Sequence, residues 1–244
     1  MTHKKKIVYF AGCMANFAQP DIGKHSVEVL EENGFNPIFP KQKCCGTPQL
    51  STGNRKRFIE NAIFNINSLE RTKGDIITAC TSCALTLKHD YPKILKNSKA
   101  DSVSKRTYDI IEYLDMLKKQ NQLNLNFHQL DLRASYHIPC HLKVLGEDLV
   151  GRRLDMLRSI PGISVSPLNS GCCGMGGTFG VKKSTFDISM DIGKPLFENI
   201  LSSNANITTT DCPTCNLQIQ QGTGQSPVHP VSIVQQAYKK CNKQ

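Results

Sequence analysis

The chain has 244 residues, 39% of them hydrophobic, with 11 cysteines and a formal net charge of +10 from 30 basic and 20 acidic side chains. That length can bury the core of one large domain or two small ones without disulfide staples; the cysteine density is well below that of a small secreted disulfide scaffold, which points to metal or redox chemistry in a reducing, cytoplasmic compartment. The basic residues are scattered, Trp is absent and no nucleic-acid module pattern occurs, so no nucleic-acid partner is expected; no window approaches 18 consecutive apolar residues, so membrane contact is expected only at the periphery and through partners.

The opening Thr2–Cys13 carries an apolar stretch too short for a signal sequence and reads as a first strand over Lys6–Phe10. Ile22–Asn33 reads as a helix ended by Gly34, and Pro37–Phe39 as a second short strand. Gly53–Arg71 is the clearest helix, with Phe58, Ala62, Ile66 and Leu69 on one face. Ile76–Ala79 is a third strand, another helix starts at Ala84, and the polar stretch from Lys118 to Arg133 reads as a join. Strands alternating with helices predict an α/β fold with parallel sheets. The expected organisation is residues 1–120 as a first domain, 121–133 as linker and 134–244 as a second domain.

The second domain is expected because the chain repeats itself. Cys13 is followed after 31 residues by Cys44-Cys45-Gly46 and then by Cys80-Thr-Ser-Cys83; Cys140 is followed after 32 by Cys172-Cys173-Gly174 and then by Cys212-Pro-Thr-Cys215. Ten cysteines thus form two sets of five, while Cys241 lies outside both and reads as a bystander. The flanks repeat too, Ile7-Val-Tyr-Phe-Ala-Gly-Cys13 matching Ala134-Ser-Tyr-His-Ile-Pro-Cys140. The offset is 127 residues at the first cysteine, 128 at the pair and 132 at the third site. The four extra residues are placed near Pro195, which is expected to kink or break its helix. The fold class is therefore two pseudo-symmetric Rossmann-like halves, each a small parallel sheet flanked by helices. Their cysteines sit at the C-terminal strand ends, where loops converge and open α/β sheets bind ligands.

Thiolates are soft ligands that select zinc, copper(I) or iron–sulfur clusters. Zinc closes its site with four ligands, usually from two Cys-x-x-Cys knuckles, whereas each half offers one knuckle and five thiols. A cubane cluster also takes four cysteines. Five leave open a spare thiol, one iron holding two thiolates, or two irons sharing one. Gly46 and Gly174 suit a backbone that turns with positive φ and points N–H groups at anionic sulfur.

Cys-x30-Cys-Cys-Gly-x33-Cys-x2-Cys and Cys-x31-Cys-Cys-Gly-x37-Cys-x2-Cys resemble the tandem cysteine-rich CCG domain. That domain occurs in the B subunit of heterodisulfide reductase, in lactate utilisation protein A, in E-type succinate dehydrogenase subunits and in the C subunit of anaerobic glycerol-3-phosphate dehydrogenase. Tyr136-His-Ile-Pro-Cys-His141, the stretch Cys172–Lys183 and Thr210-Asp-Cys-Pro-Thr-Cys215 resemble the last of these. The resemblance implies two [4Fe-4S] clusters of a non-cubane type. Cys13, Cys44, Cys45, Cys80 and Cys83 would hold one, and Cys140, Cys172, Cys173, Cys212 and Cys215 the other. It also implies an iron–sulfur electron-transfer subunit of an oxidoreductase complex, between a flavoprotein dehydrogenase and a quinone or disulfide acceptor. The glycerol-3-phosphate dehydrogenase protein carries a ferredoxin-like module ahead of its first CCG half. Here the chain begins at that half, so electrons are expected to arrive from separate flavoprotein and ferredoxin-like iron–sulfur subunits.

His137 and His141 flank Cys140 and are candidate catalytic residues, because imidazole titrates near neutral pH and could donate protons or polarise a substrate. Lys239, Lys240 and Lys243 read as a solvated helix end. Two rival functions are a cofactor-free thiol-disulfide oxidoreductase using Cys80/Cys83 or Cys212/Cys215, and a zinc-stabilised interaction scaffold.

Overall fold

A computed structural model of the chain describes residues 4–239, so Lys240, Cys241 and Lys243 lie outside the described residues. The chain divides into two compact units, Met1–Leu123 and Asn124–Gln244.

In the first unit four parallel strands, β1 (Lys5–Tyr9), β2 (Phe35–Ile38), β3 (Ile76–Thr78) and β4 (Thr107–Asp109), lie in the order β2-β1-β3-β4. Ile7, Val8 and Tyr9 make β1 a strand buried along its second half, as the apolar run requires of a strand flanked on both sides. Pro37 falls within β2, opposite Ile7, where an edge strand tolerates a residue with no N–H. The helices are α1 (Pro20–Glu32), α2 (Thr47–Ser51), α3 (Arg55–Glu70), α4 (Thr81–Leu85), α5 (Tyr91–Leu95), α6 (Ser98–Lys105) and α7 (Ile110–Lys119). Pro20 opens α1 with its φ already set for a helix, and the Asn54 side chain caps α3 by accepting from Arg57 N–H at 3.1 Å. On α3 the expected face is the buried one: Phe58, Ala62, Ile66 and Leu69 pack with Val8, Phe10 and Ile76. Each large side chain so buried contributes about 1.5–3 kcal/mol. Cys45, Cys80 and Cys83 belong to this same cluster.

The second unit repeats the plan with three strands. β5 (Leu132–His137), β6 (Ile163–Leu168) and β7 (Ile207–Thr209) run parallel in the order β6-β5-β7. Again a proline, Pro167, sits in the edge strand, here opposite Tyr136. A fourth strand is reduced to a single bridge between Thr209 and Val228. The helices are α8 (Cys140–Leu145), α9 (Asp148–Arg158), α10 (Phe186–Ser202), α11 (Pro213–Thr223) and α12 (Pro230–Tyr238). At the start of α7 the Asp109 side chain accepts from Ile111 N–H at 3.0 Å; at the start of α12 His229 Nδ1 accepts from Val231 N–H at 3.1 Å. Between the sheets' halves, residues 122–131 carry no regular structure until β5, yet they are tied down: His128 N–H donates to Ala237 C=O and Leu130 N–H to Pro161 C=O.

Two expectations need correction. Of the kink or break expected at Pro195, the break does not occur: α10 runs through it without interruption. The side chain lies on the exposed face, so the carbonyl that loses its helical partner can turn to water. Nor do the four extra residues cluster there. Comparing Gly46 to the start of α3 with Gly174 to the start of α10, three of the four fall in the loop between Gly174 and Phe186.

Candidate metal centres

In the first unit the strand order places β1 between β2 and β3, so the loops leaving these strands diverge from one crevice at the C-terminal sheet edge. Cys13 follows β1, Cys44 and Cys45 follow β2, and Cys80 and Cys83 follow β3. Their thiols touch in sequence. Cys13 Sγ is 3.7 Å from Cys44 Sγ, Cys44 contacts Cys45, Cys45 contacts Cys83, and Cys83 contacts Cys80. In the second unit the contacts run through the equivalent residues, Cys140 to Cys172, Cys172 to Cys173, Cys173 to Cys215 and Cys215 to Cys212, with Cys173 Sγ and Cys215 Sγ 3.2 Å apart. All ten are thiols rather than disulfides.

The two quintets also share a gradient of burial. Cys45, Cys80 and Cys83 are buried with Cys13 and Cys44 half-buried outside them; Cys173, Cys212 and Cys215 are buried with Cys140 and Cys172 exposed. Each site is therefore a sulfur-lined recess with its mouth toward solvent. Over the first mouth a cavity is lined by Cys13, Cys44, Gln49, Phe17, Lys43 and Arg57. Cys13 is followed by a single π-helical segment, Met14–Ala18, a departure from α geometry that tends to occur at functional sites.

Electrostatics single out one thiol in each set. Contact with the Cys13 and Cys45 thiols, and the Gly46 backbone N–H, hold Cys44 well below the ordinary thiol range against the opposing effect of burial. Cys140, Cys173 and the Gly174 N–H, 3.4 Å from the sulfur, do the same for Cys172. Of the other thiols, Cys13, Cys45 and Cys83 with Cys140, Cys173 and Cys215 are pushed up by the adjoining thiols and by burial. Crowded sulfurs that resist joint ionisation in this way are relieved by a cation that takes up the charge of several thiolates at once. Gly46 (φ 103°) and Gly174 (φ 89°) take the positive φ that lets their N–H groups face sulfur.

Several side chains that hold these loops escaped the sequence reading. In the first unit Asn65 accepts from Lys43 N–H at 2.7 Å and donates to the carbonyls of Lys43 and Cys44, while Tyr91 O–H donates to Cys45 C=O at 2.8 Å. Thr47 Oγ1 lies 3.3 Å from Cys45 Sγ and Thr214 Oγ1 3.0 Å from Cys212 Sγ. In the second unit a fully buried ion pair stands beside Cys212: Arg153 Nε donates to Asp211 Oδ1 at 3.2 Å, and Tyr136 O–H donates to Asp211 Oδ2. Arg153 could have been found as a cation in an apolar stripe, midway between Leu149 and Leu157 on α9.

The two histidines separate. His137 is 1% exposed, and a nitrogen of its ring lies within 4.8 Å of Cys173 Sγ and Cys215 Sγ. Desolvation lowers its pKa to about 4, so the ring is neutral at pH 7. His141 is half-buried on α8, one residue past Cys140.

The donor set suits an iron–sulfur group. Ten soft sulfur donors occupy two recesses, and the Nε2 atom of His137 is buried without a hydrogen-bond partner among the described residues.

Comparison with known proteins agrees. The cysteine-rich CCG domain matches twice, over residues 7–88 and 134–220. The chain is 33% identical over 243 residues to the C subunit of the anaerobic glycerol-3-phosphate dehydrogenase of Escherichia coli K12, covering 96% of this chain and 60% of that protein. It thus spans about three fifths of that relative's length. It is 31% identical over 233 residues to the B subunit of the fumarate reductase (CoM/CoB) of Methanothermobacter marburgensis, covering 94% of this chain and 44% of that protein. With the lactate utilization protein A of a Geobacillus species it shares 32% identity over 217 residues, 85% of this chain and 87% of that one. Among solved structures, a hypothetical protein from Helicobacter pylori has the same fold, with a TM-score of 0.62 at 10% identity over 98% of this chain and 50% of its own. The chain therefore belongs to the cysteine-rich CCG-domain family and carries the domain twice.

Proposed function

We propose that the protein is an iron–sulfur electron-transfer subunit of an oxidoreductase complex. Cys13, Cys44, Cys45, Cys80 and Cys83 hold one [4Fe-4S] cluster and Cys140, Cys172, Cys173, Cys212 and Cys215 a second, both non-cubane. The observation that carries this reading is the matched order of thiol contacts in the two halves, five sulfurs deep in each, where zinc needs only four. Relatives that are subunits of dehydrogenase and reductase complexes support the class of function. Electrons pass from a flavoprotein dehydrogenase and a ferredoxin-like iron–sulfur subunit to a quinone or a disulfide. The complex works in the cytoplasm, and its attachment to the membrane is peripheral and runs through partners; within this chain no described helix is long and apolar enough to cross a membrane.

When bound, such a cluster supplies one-electron transfer. The chain's own residues do the rest. Cys44 and Cys172, held as thiolates, give each site a sulfur ready to ligate. Asn65 and Tyr91 fix the Cys44-Cys45 backbone, and the buried faces of α3 and α10 exclude water from the inner side of each recess. Gly46 and Gly174 turn their N–H groups toward sulfur, where added negative charge is stabilised. His141 stands next to the exposed Cys140, where a proton donor could serve a reduced acceptor.

Anaerobically purified protein, reduced with dithionite and freed of excess reductant, tests this reading. Mixed with a soluble quinone or with an aromatic disulfide, it should return electrons to at least one, with recovery of its visible absorption. Protein that takes up no electrons, or that keeps them in the presence of both acceptors, would contradict the proposal.

A further inference from the structure

The duplicated sulfur pattern conceals a difference between the two sites. The offset that sets Cys13 against Cys140 also sets Phe10 against His137, each three residues before the first cysteine. Phe10 is fully buried in the apolar cluster that contains Cys45, Cys80 and Cys83. His137 is as deeply buried, with a ring nitrogen within 4.8 Å of two thiols and with Nε2 lacking any hydrogen-bond partner among the described residues. A buried polar atom left without a partner costs about 1–3 kcal/mol. The first half shows that an apolar ring fits this position. Imidazole in the second half therefore calls for a partner for its nitrogen, and the sulfurs of Cys173 and Cys215 lie within 4.8 Å of a ring nitrogen.

We propose that His137 donates an imidazole N–H to sulfur at the second site and raises the reduction potential of that site above the first, where Phe10 offers no donor. This rests on the reading that both quintets hold iron–sulfur clusters. Adding an electron puts negative charge on the sulfurs, so a fixed N–H donor stabilises the reduced form more than the oxidised one. In an exchange between the sites, the first is oxidised by one electron, the second is reduced by it, and the electron rests at the second. The exposure of Cys140 and Cys172, against the half-buried Cys13 and Cys44, suits delivery to an acceptor from that site. His137 acts through the sulfurs and is a positioning and tuning residue.

The test is a potentiometric titration of the anaerobically purified full chain followed by electron paramagnetic resonance, with Cys45→Ser and Cys173→Ser assigning the two signals. His137→Phe should weaken reduction of the second site at least tenfold, a fall of about 59 mV for one electron. The first-site signal and the iron and sulfide content should stay as they were. His137→Gln, which keeps an N–H donor, should recover at least half of that shift, and Phe10→His should raise the first-site potential. A second-site change under threefold in fully loaded His137→Phe overturns the inference, as does strong ¹⁵N coupling that shows imidazole bound directly to iron. If His137→Phe fails to fold, Phe10→His decides, and no rise at the first site refutes the idea. Failure of the underlying reading is distinct: the unaltered protein would contain no iron or sulfide to titrate.

Discussion

Removing one partner of the buried pair between Arg153 and Asp211 should destabilise the second unit while leaving the first intact. Both side chains are 0% exposed, 3.2 Å separates Nε from Oδ1, and Tyr136 O–H donates to the other carboxylate oxygen. Arg153→Met preserves most of the volume and leaves Asp211 as a buried charge with Tyr136 beside it. Breaking such a pair from one side costs about 3–5 kcal/mol, because the surviving charge has lost its counterion in a place water cannot reach. Asp211→Asn should cost a similar amount by stranding the guanidinium. The double variant Arg153→Met/Asp211→Asn buries no charge and retains an acceptor for Tyr136, so its cost should fall about 2–3 kcal/mol short of the sum of the single changes. The first unit supports this, since the equivalent positions there are Ser26 and Ala79, and that unit packs without an ion pair at this place. Native-state hydrogen exchange read by mass spectrometry reports each unit separately. Amides of β5 and β7 should exchange roughly a hundred- to several-thousand-fold faster in either single variant, with those of β1 and β3 unchanged. Acceleration under about fivefold, or strictly additive single and double effects, would refute the reasoning.

Other outcomes follow from the loops that carry the thiols. In Gly174→Ala a Cβ would lie 2.0 Å from the Ser189 carbonyl oxygen at φ 89°, so the backbone itself must move; a loss of about 2–5 kcal/mol in thermal unfolding and depletion of second-site iron are expected. Gly46→Ala meets the buried Phe58 ring at 2.6 Å, a side chain where Gly174→Ala meets backbone, and should cost less than Gly174→Ala in the same assay. Tyr91→Phe removes the bond to Cys45 C=O and one of the acceptors of Asn65 Nδ2, so about 1–2 kcal/mol should be lost and a chelator should strip first-site iron faster than second-site iron. Stripping both sites should lower the melting temperature, because a group bound only by the folded state stabilises it by mass action. The stripped protein should also expose Cys13, Cys44, Cys140 and Cys172 to alkylation before the six buried thiols.

The parts of the fold legible in the sequence are those set by local rules. The face of α3 is visible because Phe58, Ala62, Ile66 and Leu69 keep helical spacing, and all four are buried. The three strands leading to the first cysteine sites are visible as short β-rich runs, and the duplication exposes the second half. Features that depend on long-range contact are hidden. Arg153 interrupts the apolar stripe of α9, and only the arrival of Asp211, 58 residues later, gives it a partner. Pro195 carries a strong helix-breaking signal that the exposed face of α10 overrides. The fourth strand of the first unit, β4, has as its counterpart in the second a bridge at Val228, too short to read from any pattern. His137 stands out in the sequence for lying near Cys140, but its burial against Cys173 and Cys215 changes what it can do: a ring shut away from solvent suits a fixed donor to sulfur better than a proton carrier.

Iron, acid-labile sulfide and zinc, measured on protein purified without exposure to oxygen, address the central claim most directly. Two four-iron clusters predict brown protein with iron and sulfide in equal amounts, about eight of each per chain, and negligible zinc. Colourless protein holding stoichiometric zinc, or neither metal, would contradict the account.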